Sequence, residues 1–131
     1  MPRETISLAI NSAYGRTQNQ LHIHIDCTRL EAIAALREHA GAIGPAWAPF
    51  PVKLSGHDYL ALRIDQPDLA QTNPFVLLAD GITGARADMA PYTLVVVGAP
   101  TGFVLLASRA TGITHRGSGE ELQDHACAAA H

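Results

Sequence analysis

The chain has 131 residues, enough for one domain whose single core removes roughly two-thirds of the unfolded surface from water. Apolar residues make up 47% and charged residues only 16%, which excludes a disordered chain. With 9 basic and 12 acidic residues the formal charge is −3, so the basic footprint of a nucleic-acid binder is absent and any anion site must be local.

The longest apolar runs, Tyr92–Val97 and Phe103–Ala107, fall far short of the ~20 residues that span a bilayer, and the first residues do not read as a signal peptide. The first alternating run, Thr5–Ile10, begins almost at Met1, as in a fragment of a longer chain. Its Ile6, Leu8 and Ile10 share one face, the pattern of a half-buried strand. Asn11–Gln18 is polar around Gly15 and reads as a loop. Gln20–Asp26 alternates again, with Leu21, Ile23 and Ile25 on one side and Gln20, His22, His24 and Asp26 on the other. The two runs are expected to pair as an antiparallel hairpin.

Thr28–Ala40 is expected to be the main helix. Thr28 and Glu31 have capping-box spacing, Leu30, Ile33, Ala34 and Leu36 supply an apolar side, and Gly41 suits the C-terminal cap. Pro45, Pro49 and Pro51 interrupt regular structure through Val52, and Tyr59–Ile64 follows as a strand. Asn73-Pro74 opens a short helix to about Asp80, with Asn73 as its N-cap. Gly84–Met89 adds a turn. Tyr92–Val97 and Phe103–Ser108 form a second hairpin, turned by Ala99-Pro100-Thr101-Gly102. Residues 109–119 are polar and glycine-rich, and Glu120–Ala130 reads as a short helix or a frayed tail. No repeat or long linker divides the chain. The expected fold class is α+β: an antiparallel sheet with one main helix and short helical turns.

The chemistry concentrates in Gln20-Leu21-His22-Ile23-His24-Ile25. Side chains two apart on a strand stand on the same face, so Gln20, His22 and His24 form a polar column that needs an anion or a metal beside it. The upstream loop favours an anion. Gly15, Arg16, Thr17 and Gln18 offer backbone, guanidinium, hydroxyl and amide donors suited to phosphate oxygens, with Asn11 and Ser12 at the loop's other end. A neutral imidazole can attack phosphorus, and a second one beside it can hold the phosphate or protonate the departing oxygen.

These residues resemble a known family. The strand is similar to a histidine-triad motif, and Gly15-Arg16-Thr17 resembles that superfamily's phosphate loop. More specifically, an ordered series of stretches resembles the CDP-diacylglycerol pyrophosphatase family. It comprises Ser7–Ser12, Gly15–Gln18, His22–Ile25, Gly56–Ala61, Asn73–Phe75, Phe103–Ala107 and Glu120–His125. The resemblance implies a histidine-triad-like α+β fold, CDP-diacylglycerol or a related nucleotide pyrophosphate as substrate, and hydrolysis to CMP and phosphatidate. It implies no cofactor or obligatory metal. His22 matches the nucleophile, His24 the last triad position, and Asn11 and Thr17 the positions that hold the phosphate and order the loop. Gln20 stands at the first triad position, where its amide exchanges hydrogen bonds but carries no proton.

Family members also carry a further N-terminal half with a membrane anchor. The resemblance therefore implies an inner-membrane, periplasmic-face location and contact with a lipid surface, whereas this stretch, with no anchor, is expected to be soluble. It also implies a sheet that is open-edged or completed by a partner chain, such as a homodimer.

Cys27 and Cys127 alone favour two unpaired thiols, one buried and one near the terminus. The family's oxidising compartment makes their pairing the competing expectation. Two other function classes remain open. His22-Ile23-His24-Ile25-Asp26 also spells a metal-hydrolase pattern, although Cys27 stands where that class wants another histidine. A non-catalytic nucleotide- or lipid-binding module is the other. His57 is a candidate for the nucleotide or headgroup pocket, with a surface-loop role as its plain alternative. Trp47 and Phe50 suit either an acyl-chain rim or packing.

Overall fold

The structure is a computed structural model that describes residues 2–14, 22–111 and 117–130. Among the described residues, seven strands form one antiparallel sheet in the order β3-β4-β6-β5-β1-β2-β7. They are β1 (Ile6–Ile10), β2 (His24–Thr28), β3 (Ala48–Pro49), β4 (Leu60–Ile64), β5 (Tyr92–Ala99), β6 (Gly102–Arg109) and β7 (Gln123–Asp124). Two α-helices are described, α1 (Leu30–Glu38) and α2 (Pro74–Gly81). The α+β class and both hairpins are as the sequence predicts. β1 pairs with β2 through Leu8↔Ile25 and Ala9↔His24, and β5 pairs with β6 from Tyr92↔Arg109 to Ala99↔Gly102.

Each face of the sheet carries its own core. On one face Ala9, Val95, Val97, Val104 and Leu106 pack with Leu36 of α1, with Ile43, Phe50 and Tyr59, and with Leu122. On the other, Ile10, Leu62, Leu94, Val96 and Leu105 pack with Leu78 of α2. Trp47 packs against that second core and donates Nε1–H to the Leu77 carbonyl at 2.9 Å, while Phe50 lies edge-on to His39. Both aromatics are therefore engaged in packing.

Several local expectations are corrected. Thr28 does not cap α1; it is the last residue of β2 and pairs with Gln123. Arg29 takes the N-cap position without a side-chain cap, and its backbone N–H goes to the Leu122 carbonyl at 2.9 Å. The helix ends at Glu38, and Gly41 belongs to a following 3-10 turn, Ala40–Ala42. Asn73 does cap α2, accepting from the Phe75 amide at 2.9 Å. The strand through the histidines is displaced: His22 and Ile23 precede β2, which continues to Thr28, and Gln20 and Leu21 lie outside the described residues.

The apolar side of that strand also faces the other way. Ile23 is 49% exposed and Ile25 70%, while His24 shares the covered face with Ala9. The reason lies in the layers. The face bearing Ala9 is covered by α1 and by the chain near Leu122, whereas the α2 layer packs over Ile10, Leu94 and Leu62.

Residues 120–130 form no α-helix. They comprise most of a 3-10 turn, Gly119–Leu122, then β7 and a second 3-10 turn, Ala128–Ala130. The 3-10 turn lies directly on the sheet. A Cβ on Gly119 would come within 2.7 Å of Val95 Cγ2 and 3.1 Å of Ala9 Cβ, so only glycine permits this approach. Cys27 and Cys127 are joined by a disulfide, which settles the two expectations in favour of pairing and staples this segment to the end of β2.

Candidate active site

The 3-10 turn brings a carboxylate to the histidines. Glu120 Oε1 lies 3.2 Å from His24 Nδ1, and its other oxygen accepts from Asn11 Nδ2 at 2.8 Å. Asn11 Oδ1 in turn accepts from the Gly119 amide at 2.8 Å and the Ser118 hydroxyl at 3.2 Å. Asn11 is thus a buried clamp between β1 and the turn. Ser12 is buried beside it and donates its amide to the Gly117 carbonyl at 2.7 Å.

With Nδ1 directed at Glu120, His24 Nε2 is the atom available for chemistry. Nε2 is buried and has no hydrogen-bond partner among the described residues. Burying a polar atom unpaired is costly, so its position calls for a bound group or a proton-transfer role. His22 packs edge-on against His24, with ring centroids 4.5 Å apart and planes at 64°. The His24 backbone is also fixed, because its carbonyl accepts from Gln123 Nε2 at 3.0 Å.

A second histidine–carboxylate pair uses the neighbouring residue. His57 Nδ1 lies 2.9 Å from Glu121, and the Tyr59 hydroxyl donates to the same carboxylate. Burial first, and then Glu121, push the Tyr59 phenol well above its ordinary pKa. His57 is placed by a tight turn in which Ser55 and Gly56 have φ of 50° and 79° and Leu54 and His57 exchange backbone hydrogen bonds. The Ser55 hydroxyl and Arg29 Nε both donate to the Glu121 carbonyl.

Asp26 is used elsewhere. It accepts from the Cys27 amide at 2.8 Å and pairs with His125. The Cys27 amide first, and then His125, hold its carboxyl below the usual range, and Asp26 raises the His125 imidazole. The metal-hydrolase pattern therefore has its carboxylate committed to other partners.

The structure thus brings His22, His24, Asn11 and Ser12 to one end of the sheet, and places His57 on the far side of the same 3-10 turn. Arg16, Thr17, Gln18 and Gln20 lie outside the described residues. Glu120, Glu121 and Gln123 carry no role in the sequence reading, although they lie within a stretch that resembles the family. A frayed tail or helix could not show that successive glutamates, Glu120 and Glu121, pair with two different histidines, His24 and His57.

Fold and site together define an antiparallel α+β domain built around a histidine pair, His22 and His24, of which Glu120 holds His24. The chain belongs to the CDP-diacylglycerol pyrophosphatase family, whose profile matches residues 1–131. It is 51% identical over 124 residues to a Yersinia pestis protein described as CDP-diacylglycerol pyrophosphatase, a match covering 93% of this chain and 48% of that relative. The chain thus spans about half the length of the relative. Among the described residues no helix is long and apolar enough to cross a membrane.

Proposed function

We propose that this chain hydrolyses the pyrophosphate bond of CDP-diacylglycerol, giving CMP and phosphatidate, on a histidine-triad-like fold. The family supports the substrate, and the His24–Glu120 contact supports the division of labour. His22 attacks the cytidine-side phosphorus. A nitrogen–phosphorus bond forms, and the bridging phosphorus–oxygen bond breaks. The electron pair leaves with phosphatidate, and His24 Nε2–H protonates that oxygen. Water then attacks the phosphohistidine, returns a proton to His24 Nε2 and releases CMP.

The observation that carries this reading is the Nδ1 contact of His24 with Glu120, 3.2 Å, which leaves the buried Nε2 as the proton-exchanging atom beside His22. Arg16, Thr17 and Gln18 serve the phosphates, Asn11 and Ser12 hold the turn that carries Glu120, and Gln20 takes the place of the first triad histidine. His57 lines the headgroup side. The partners of this reading are a membrane lipid surface at the periplasmic face of the inner membrane, by the family resemblance, and a second copy of this chain that completes the sheet.

Release of CMP from CDP-diacylglycerol, with and without EDTA and with His22→Ala, tests the reading. EDTA-resistant release that is lost in the variant supports it. Loss with EDTA points to a metal hydrolase, and CMP binding without turnover points to a binding module.

A further inference from the structure

A cavity of about 350 Å³ lies between α1 and the β5–β6 turn, within the size range of ligand sites. Its walls are apolar, including Ile33, Leu36, Ile43 and Val104, and Arg37, Arg63 and Glu4 line its polar part. Two further cavities, of about 280 and 330 Å³, are lined by Leu94 and Leu62 respectively, residues of the opposite core. The α1 cavity shares its face with His24. Registers His24↔Ala9, Ala9↔Val95 and Val95↔Leu106 form one row across the sheet, and Val104 lies two residues farther along β6 on the same side. Three strand spacings and two residues of rise place the Val104 backbone roughly 16 Å from that of His24.

We propose that this cavity receives an acyl chain of the lipid substrate. The proposal rests on the functional reading above and specifies where the diacylglycerol half goes. An amphiphile matches the walls and the rim: methylenes lie against the aliphatic residues, and ester oxygens meet guanidinium N–H donors. A guanidinium carries five such donors. Arg37 directs Nε and Nη2 to Glu4, and Arg63 directs Nε to Asp65 and Nη1 to the Ile43 carbonyl. The spacing from His24 fits one molecule whose phosphates lie at the histidines and whose tail lies under α1. Trp47 and Phe50, the aromatics with an acyl-rim alternative in the sequence, are taken up in packing.

Ala40 and Ala99 both line the cavity; Ala40 is exposed, and Ala99 is half-buried at the edge of the core beneath α1. The first measurement is titration of the chain with cis-parinaric acid. Saturable binding at one site, lost in Ala40→Trp and in Ala99→Phe, is expected. No binding, or binding unchanged in both variants, overturns the proposal. The second compares CDP-diacylglycerol in mixed micelles with acyl-free CDP-glycerol. The filled variants should raise KM for the lipid at least about 10-fold and leave CDP-glycerol turnover unchanged; equal effects on both substrates overturn the proposal. If the unmodified chain turns over neither substrate, the functional reading fails, and the parinaric acid titration still decides the cavity.

Discussion

Glu120 and His24 meet at 3.2 Å although they stand on elements far apart in the chain, one on the 3-10 turn and one on β2. In the proposed mechanism the contact fixes which imidazole nitrogen faces the substrate, which makes Glu120 a positioning residue. Glu120→Gln keeps the shape and removes the charge. Loss of a correctly held general acid costs about 100-fold in kcat. We expect that fall with KM unchanged, native circular dichroism, and partial rescue in Glu120→Asp. A wild-type rate in Glu120→Gln would sink the assignment.

β5 and β6 were legible in the sequence as apolar runs, because their side chains are buried on both faces of the sheet. β1 is a strand, as its alternation predicts, but Ser7 and Ala9 are fully buried while Ile6 is 38% exposed. β2 misleads because alternation gives two faces but not which one is covered. That choice is made by α1 and the chain near Leu122, and no pattern within β2 records it. The capping box at Thr28 fails for a related reason: β7, ninety-odd residues later, pairs with Thr28 and extends the strand through it. The histidine pair was visible as a motif, whereas Glu120 became visible only once the 3-10 turn was seen against β1 and β5.

On the sheet face that carries Ile25, its exposed edge at β2 and its centre at Leu94 of β5 predict opposite mutational costs. Ile25 is 70% exposed, so Ile25→Ser should change the unfolding free energy by no more than about 0.5 kcal/mol. Leu94, 2% exposed in the core under α2, should lose about 2–5 kcal/mol as Leu94→Ala. Urea denaturation of both variants checks the assignment. A large loss in Ile25→Ser would place the apolar side of β2 inward after all.

The Asp26–His125 pair has a defined pH window. Asp26 is depressed, so its contribution to stability is present above its unfolded pKa near 3.9 and is lost as pH falls through the lower folded value. His125 is raised, so its contribution is complete below its unfolded pKa near 6.5 and is lost as pH rises through the higher folded value. The difference in urea midpoint between the native chain and His125→Ala should therefore be largest between about pH 4 and 6.5 and close to zero at pH 9. A difference that persists unchanged to pH 9 would mean that packing, rather than charge, joins the two residues.

The Cys27–Cys127 disulfide closes a loop with a sequence separation of 100. Chain entropy assigns such a loop about 4.7 kcal/mol of stabilisation. Cys127→Ser should lose most of that amount. CMP release should also fall under conditions in which the variant remains folded, because β7 and the 3-10 turn bearing Glu120 would be held to β2 by fewer constraints. Equal stability with and without dithiothreitol would show that the tail is held by its hydrogen bonds alone.

Gly119 joins stability to the site most directly. An added Cβ meets Val95 Cγ2 at 2.7 Å and the side chains of Ala9 and Thr93 at 3.1 Å, all of them in the buried sheet. The sheet residues cannot withdraw, so in Gly119→Ala the turn must lift. Overpacking of this kind costs about 1–3 kcal/mol. Lifting the turn also draws the Gly119 amide away from Asn11 and moves Glu120 from His24, so kcat should fall along with stability. Glu120→Gln, by contrast, should lower kcat while leaving the urea midpoint nearly unchanged. Comparing the two variants separates placement of the carboxylate from its charge. Full activity in Gly119→Ala would mean that the His24 contact does not depend on the seating of the turn.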